Sequence, residues 1–191
     1  MATPDQLASL EGQQYLVLRP AGSVGATYDE LQQSAVEVFG ADIRRPHTGH
    51  VTLRAFFEPQ RRDEISEILR DWGKTQSPIE LRAEAVDSFP TPWQVLILRA
   101  ARTGSLVGAY SKLTALLEPT DLQRLDERSV EDWTFHLSLL YGRRLEADLW
   151  RELSSQVVAE LPEQPHELIA EAELVWYESG IEHAELIPLL G

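Results

Sequence analysis

Gln14-Tyr15-Leu16-Val17-Leu18-Arg19 is echoed near the middle of the chain by Gln94-Val95-Leu96-Ile97-Leu98-Arg99. Both are short apolar runs of the kind that form strands. Each is followed by a segment with helical spacing, and then by a strand that opens on a related tetrad. The first tetrad is His50-Val51-Thr52-Leu53 and the second is His136-Leu137-Ser138-Leu139. A strand–helix–strand unit therefore occurs twice, with one chemical signature in the same relative place. Such a repeat of mixed elements reads as an α+β fold.

Working outward, strands are expected over 14–20, 49–57, 79–89, 93–100, 133–141, 168–177 and 184–190, from apolar alternation bounded by Gly and Pro. Helices are expected from 27 or 28 to 39, over 61–72, over 105–117 and over 146–161, with Gly40 and Gly73 placed as stops. Gly22 and Gly25 punctuate a loop, and Pro90 and Pro92 mark a break between the two halves. With 191 residues the chain can build one sizeable core, or two small lobes sharing one.

Composition narrows the function. The formal net charge is −14, and only two lysines occur, Lys74 and Lys112. A broad basic surface that follows long duplex nucleic acid is not expected. Arginine doublets at Arg44-Arg45, Arg61-Arg62 and Arg143-Arg144 leave room for a local positive pocket sized for a mononucleotide phosphate. There are no cysteines, so no disulfide frame, thiolate nucleophile or zinc–thiolate site is possible. No apolar run approaches the ~20 residues of a membrane helix. Residues 1–11 are polar and acidic, and do not read as a signal peptide. A cytoplasmic monomer with no membrane partner is the simplest expectation.

Side chains alternate along a strand. His50, Thr52, Arg54 and Phe56 should share one face, with Val51, Leu53, Ala55 and Phe57 on the apolar one. In the second copy His136 and Ser138 share a face, with Phe135, Leu137, Leu139 and Tyr141 opposite. If a pseudo-two-fold axis relates the halves, the two His-x-hydroxyl pairs face each other across a groove. Two imidazoles flanking a phosphate can act as base and acid near neutral pH. The hydroxyls of Thr52 and Ser138 can donate to non-bridging oxygens. This scheme requires no metal and no cofactor, and the pair His47 and His50 lacks neighbouring ligands in sequence. A single His-x-Thr-Leu is most often structural; its second occurrence within a repeat favours the functional reading.

The two tetrads resemble the paired H-x-[TS]-hydrophobic signatures of the two-histidine phosphoesterases, which include the 2′-5′ RNA ligase-like proteins and the cyclic nucleotide phosphodiesterases. The stretch His136-Leu137-Ser138-Leu139-Leu140-Tyr141-Gly142 looks more like the cyclic phosphodiesterase branch. The resemblance implies a bilobal fold in a single domain over residues 1–191, with lobes carried near 14–57 and 93–141 and both histidines in a central cleft. It implies metal-independent opening of a small 2′,3′-cyclic phosphate, on a nucleotide or an RNA end, commonly to a 2′-phosphate. By that resemblance His50 and His136 are the acid–base pair, with His50 as the acid, and Thr52 and Ser138 hold the phosphate. The alternatives are 2′-5′ RNA ligation or RNA-end processing, and a nucleotide-binding module without catalysis.

Weaker candidates are Tyr141, Arg45 and Arg54 as substrate contacts. Strict alternation turns Tyr141 away from His136 unless the strand ends or bulges there. Trp93 is expected to cover the core, and His47, His166 and His183 to lie at the surface. The carboxylates of 121–132 read as a solvated loop.

Overall fold

The computed structural model describes residues 9–46 and 48–191; His47 lies outside them. Strands β1 (Gln13–Leu18), β2 (Val51–Phe57), β4 (Val95–Ala100) and β6 (His136–Tyr141) are the strands of the repeat. Helix α1 (Ser23–Phe39) joins the first pair and α3 (Gly104–Leu117) the second. Helix α2 (Arg62–Thr75), β3 (Ile79–Phe89), β5 (Arg124–Leu125), α4 (Ala147–Ser155), β7 (Ala159–Glu160), β8 (His166–Ile169), β9 (Glu171–Glu178) and β10 (Ile181–Pro188) complete the described elements. The main strand order is β10-β9-β1-β2-β6-β4-β3-β7, with β5 pairing β2 and β8 pairing β3. The α+β expectation holds. The two halves join edge to edge in one sheet where β2 meets β6 antiparallel, with Val51 opposite Leu137.

One sheet face is sealed by the helices. Leu16, Leu18, Val51, Leu53 and Phe56 from the first copy pack with Leu96, Leu98, Leu137, Leu139 and Leu140 from the second. Leu69, Leu106, Tyr110 and Leu113 of the helices meet them, and all of these are buried. The other face stays open over β1, β2 and β6. Among the described residues no helix is long and apolar enough to cross a membrane.

The alternation expected along β2 and β6 is broken once in each. Leu16 pairs with Arg54 while Val17 pairs with Thr52, so Leu53 is an extra residue on β2. Leu96 pairs with Leu140 while Ile97 pairs with Ser138, so Leu139 is an extra residue on β6. These β-bulges fall on the fourth residue of each tetrad and reverse the facing of everything that follows. Phe56 is consequently buried and Phe57 is 41% exposed, the opposite of the expected assignment.

Other boundaries moved for tertiary reasons. Helix α1 starts earlier than expected because a distant carboxylate caps it. Glu167 of β8 accepts from the backbone N–H of Ala21, Gly22 and Val24 at 2.9, 3.0 and 2.8 Å. Helix α2 runs through Gly73, where a Cβ would lie 2.6 Å from the Pro188 carbonyl oxygen, so this glycine allows close approach rather than ending the helix. Helix α4 stops at Ser155, since the following chain pairs with the β3 edge at Ala85 and Val86. The expected strand over 168–177 divides, β8 joining β3 and β9 joining β1 and β10. Trp93 is 51% exposed and does not cover the core. His166 is exposed, whereas His183 is half-buried and stacked on Trp176, with ring centroids 5.3 Å apart. Asp121, Asp126, Glu127, Glu131 and Asp132 are exposed, as a solvated loop requires.

Candidate active site

The pairing of Val51 with Leu137 fixes the site. In an antiparallel ladder, one step either way sets His50 beside Ser138 and Thr52 beside His136, on the face opposite the core. Each imidazole thus neighbours the hydroxyl of the other motif. Tyr28 of α1 supports this junction from below. Its ring lies against Gly49, and its hydroxyl donates to the Ser138 carbonyl at 3.0 Å. Gln32 donates to the Tyr28 hydroxyl at 2.8 Å and to the Leu139 carbonyl at 3.1 Å. Both tetrads are therefore tied to one helix.

A cavity of about 290 Å³ opens above His50, Thr52 and Ser138. Tyr141 and Arg45 also line it, the first because the Leu139 bulge turns it back to the open face. Arg54 does not line it. The Leu53 bulge sends Arg54 to the helix side, 3% exposed, with its guanidinium 3.9 Å from the Tyr110 ring centroid and hydrogen-bonded to Thr114. Its expected placement beside His50 and Thr52 is thus corrected. His136 lies on the open face but outside the cavity lining, with the Phe89 ring edge-on to it at 5.1 Å.

The two imidazoles differ in their partners. His136 Nδ1 donates to the Thr134 carbonyl at 2.8 Å. A carbonyl only accepts, so Nδ1 carries hydrogen and Nε2 is left as the titrating nitrogen. Burial lowers the His136 pKa, and the Thr134 carbonyl opposes that shift. His50 Nδ1 is buried without a hydrogen-bond partner among the described residues. Burial first, and then the Arg19 cation, lower the His50 pKa to about 4, against weaker opposition from the Thr48 backbone and Glu182. Both shifts favour the neutral rings near pH 7.

Arg19, the last residue of the first repeated hexamer, lines the cleft although the sequence alone assigns it no role. It donates to Glu173 at 2.6 Å and to Glu182 at 3.0 Å, and it bonds Thr48. The signal that could have found it is its equivalent, Arg99, which ends the second hexamer and stands opposite His136. Arg99 is held in turn by Glu84, Asp87 and Glu160 at 2.7, 2.6 and 3.2 Å. Tyr15 and Tyr177, whose rings meet edge-on at 6.3 Å, complete the wall. Neither was singled out, because their exposure on the open face depends on the pairing of β1 with β9.

A family model described as the 2'-5' RNA ligase superfamily matches residues 20–180. The chain belongs to this superfamily, among the two-histidine phosphoesterases. Solved structures agree on the fold. TT0787 of Thermus thermophilus is 18% identical with a TM-score of 0.70, covering 94% of this chain and 98% of that one. Escherichia coli LigT complexed with 3'-AMP is 14% identical with a TM-score of 0.59, covering 92% and 94%. Kluyveromyces marxianus Usb1 is 11% identical with a TM-score of 0.59, covering 95% and 100%. No curated protein sequence matches.

Proposed function

We propose that this phosphoesterase-family chain hydrolyses a small 2′,3′-cyclic phosphate to a 2′-phosphate by acid–base catalysis between His50 and His136. The observation that carries this reading is the Val51–Leu137 pairing, which brings both His-x-hydroxyl pairs to one open face. Water attacks phosphorus while His136 Nε2 takes its proton. The P–O3′ bond breaks, and protonated His50 gives a proton to the departing O3′. Thr52 and Ser138 donate to the non-bridging oxygens, where negative charge builds in the transition state. His50 must be charged to serve as the acid. A bound phosphate anion raises its pKa, and Glu173 and Glu182 already offset the charge of Arg19. The hydrogen bond at His136 Nδ1 suits its role as the base. That LigT was crystallised with 3'-AMP and Usb1 with uridine monophosphate supports a nucleotide as the substrate class.

The test is hydrolysis of 2′,3′-cyclic mononucleotides in EDTA by wild type, His50→Ala and His136→Ala. Turnover by the wild type, lost in both folded variants, with a 2′-phosphate product, is the expected result. A folded wild type that leaves these substrates intact overturns the assignment. Turnover of a cyclic-phosphate RNA end alone would assign RNA-end processing; binding without turnover of either would assign a nucleotide-binding module.

A further inference from the structure

We propose that Arg44, Arg45, Arg143 and Arg144 form a rim at one end of the cleft that binds a second phosphate of the substrate, on the 5′ side of the nucleoside whose cyclic phosphate lies between the histidines. The inference rests on the phosphodiesterase reading of the cleft and goes on to specify the ligand.

The two arginine doublets are far apart in sequence, and β6 brings them together. The Tyr141 N–H donates to the Arg44 carbonyl at 2.8 Å, an isolated antiparallel bridge. The Arg44 guanidinium lies 5.5 Å from the Tyr141 ring centroid. Arg143 and Arg144 follow soon after Tyr141, on an exposed turn closed by the Leu145 N–H donating to the Gly142 carbonyl at 2.8 Å. Consecutive Cα atoms are about 3.8 Å apart, so both arginines stand near the Arg44 bridge. Arg44 and Arg45 line the same cavity as His50 and Ser138.

The four arginines carry positive charge in a strongly acidic chain. Acidic residues outnumber Lys and Arg by 31 to 17. Arg19, Arg61, Arg99 and Arg124 are all engaged by carboxylates. Arg44, Arg45, Arg143 and Arg144 are exposed, and among the described residues none of the four makes an ion pair. Arg44 and Arg45 line the cavity itself, and Arg143 and Arg144 stand on the turn that follows Tyr141, so unpaired positive charge gathers at this end of the cleft in an acidic protein.

Distance separates this rim from the catalytic phosphate position. Three residues of strand from Ser138 to Tyr141 span roughly 10 Å. The backbone that carries the arginines thus stands off from Ser138 and Thr52, which leaves room along the cleft for a second anion. A 5′-phosphate of the same nucleotide and the internucleotide phosphate of a short strand share this chemistry. Guanidinium forks bind either one bidentately.

The experiment is equilibrium binding, which needs no turnover. A nucleoside 3′-monophosphate, the 3′,5′-bisphosphate and a dinucleotide 3′-phosphate are titrated against wild type and against the quadruple Arg→Gln variant at 44, 45, 143 and 144. The wild type should bind one or both of the ligands with a second phosphate about tenfold more tightly than the monophosphate. In the variant that ratio should fall towards one. A greater gain with the bisphosphate identifies a mononucleotide ligand, and with the dinucleotide a strand end. A wild type without the preference, or a folded variant that keeps it, overturns the proposal. Loss of the cyclic-phosphate activity assignment with this preference intact would refute the catalytic reading alone.

Discussion

Substituting Gly49 by Ala probes how the two motifs are held together. An ideal Cβ at Gly49 lies 2.9 Å from three atoms of the Tyr28 ring, against an optimum of about 3.5–4.0 Å between carbons. Tyr28 is 3% exposed, and its hydroxyl is fixed by the Ser138 carbonyl and Gln32. The ring therefore cannot swing aside without breaking partly buried hydrogen bonds. Overpacking costs about 1–3 kcal/mol, and this fixed ring points to the upper half of that range. For a chain of this size the corresponding drop in Tm is roughly 5–10 °C. Urea unfolding should show a lower midpoint at unchanged slope. Tyr28→Leu removes the opposing ring atoms, so the double variant should be more stable than the sum of the single effects by about 1 kcal/mol. Additivity within about 0.5 kcal/mol would refute the claim that Tyr28 and Gly49 are in direct contact. Because His50 follows Gly49, Gly49→Ala should also reduce turnover of any cyclic phosphate substrate.

Burial disfavours the His50 imidazolium in the folded state, so the unfolded chain binds the extra proton first as pH falls. His50 therefore costs no stability above pH 6.5, and destabilises the fold increasingly as pH drops from 6.5 to 4, by up to about 3 kcal/mol. His50→Gln should flatten that limb in unfolding measured across the same pH window; an unchanged slope would mean the ring is well solvated. Phe89→Ala uncovers His136 and should raise its pKa toward 6.5, read by NMR titration of the ring, since burial is the main cause that lowers it. An unmoved titration would place the burial elsewhere. Thr52→Val and Ser138→Ala should each reduce kcat by about 10²–10³ with little change in folding, as expected for donors to developing negative charge. An effect confined to KM would make these hydroxyls ground-state binding groups instead.

The repeat was legible because strand and motif patterns are local: each hexamer falls on a strand, each tetrad on the start of the next, and a helix lies between them. Register was less accessible. Alternation correctly gave His50 and Thr52, and His136 and Ser138, a common face, because these residues precede the bulges. It failed for Arg54, Phe56, Phe57 and Tyr141, which follow them. Nothing in Leu53 or Leu139 marks either as an extra residue; a bulge is a relation to the partner strand. The early start of α1 was hidden for a similar reason, since its cap, Glu167, is supplied from β8 across the fold. Arg19 was visible as a repeated residue, but its role depends on Glu173 and Glu182, from strands that come late in the chain.

The paired bulges explain how near-identical motifs produce an asymmetric site. Each bulge sends two consecutive residues to the core: Leu53 with Arg54, and Leu139 with Leu140, all 3% exposed or less. In the second copy both are leucines that pack apolar surface. In the first, the second position is an arginine, whose buried guanidinium lies over Tyr110 of α3 and bonds Thr114. The next residue on the open face is then Ala55 in the first copy and Tyr141 in the second. A small residue on one strand and an aromatic ring on the other open the cleft on the first-copy side and wall it at the Arg44 bridge. The chemical symmetry of the histidines is thereby preserved, while the space above them acquires a direction along which a substrate can be ordered.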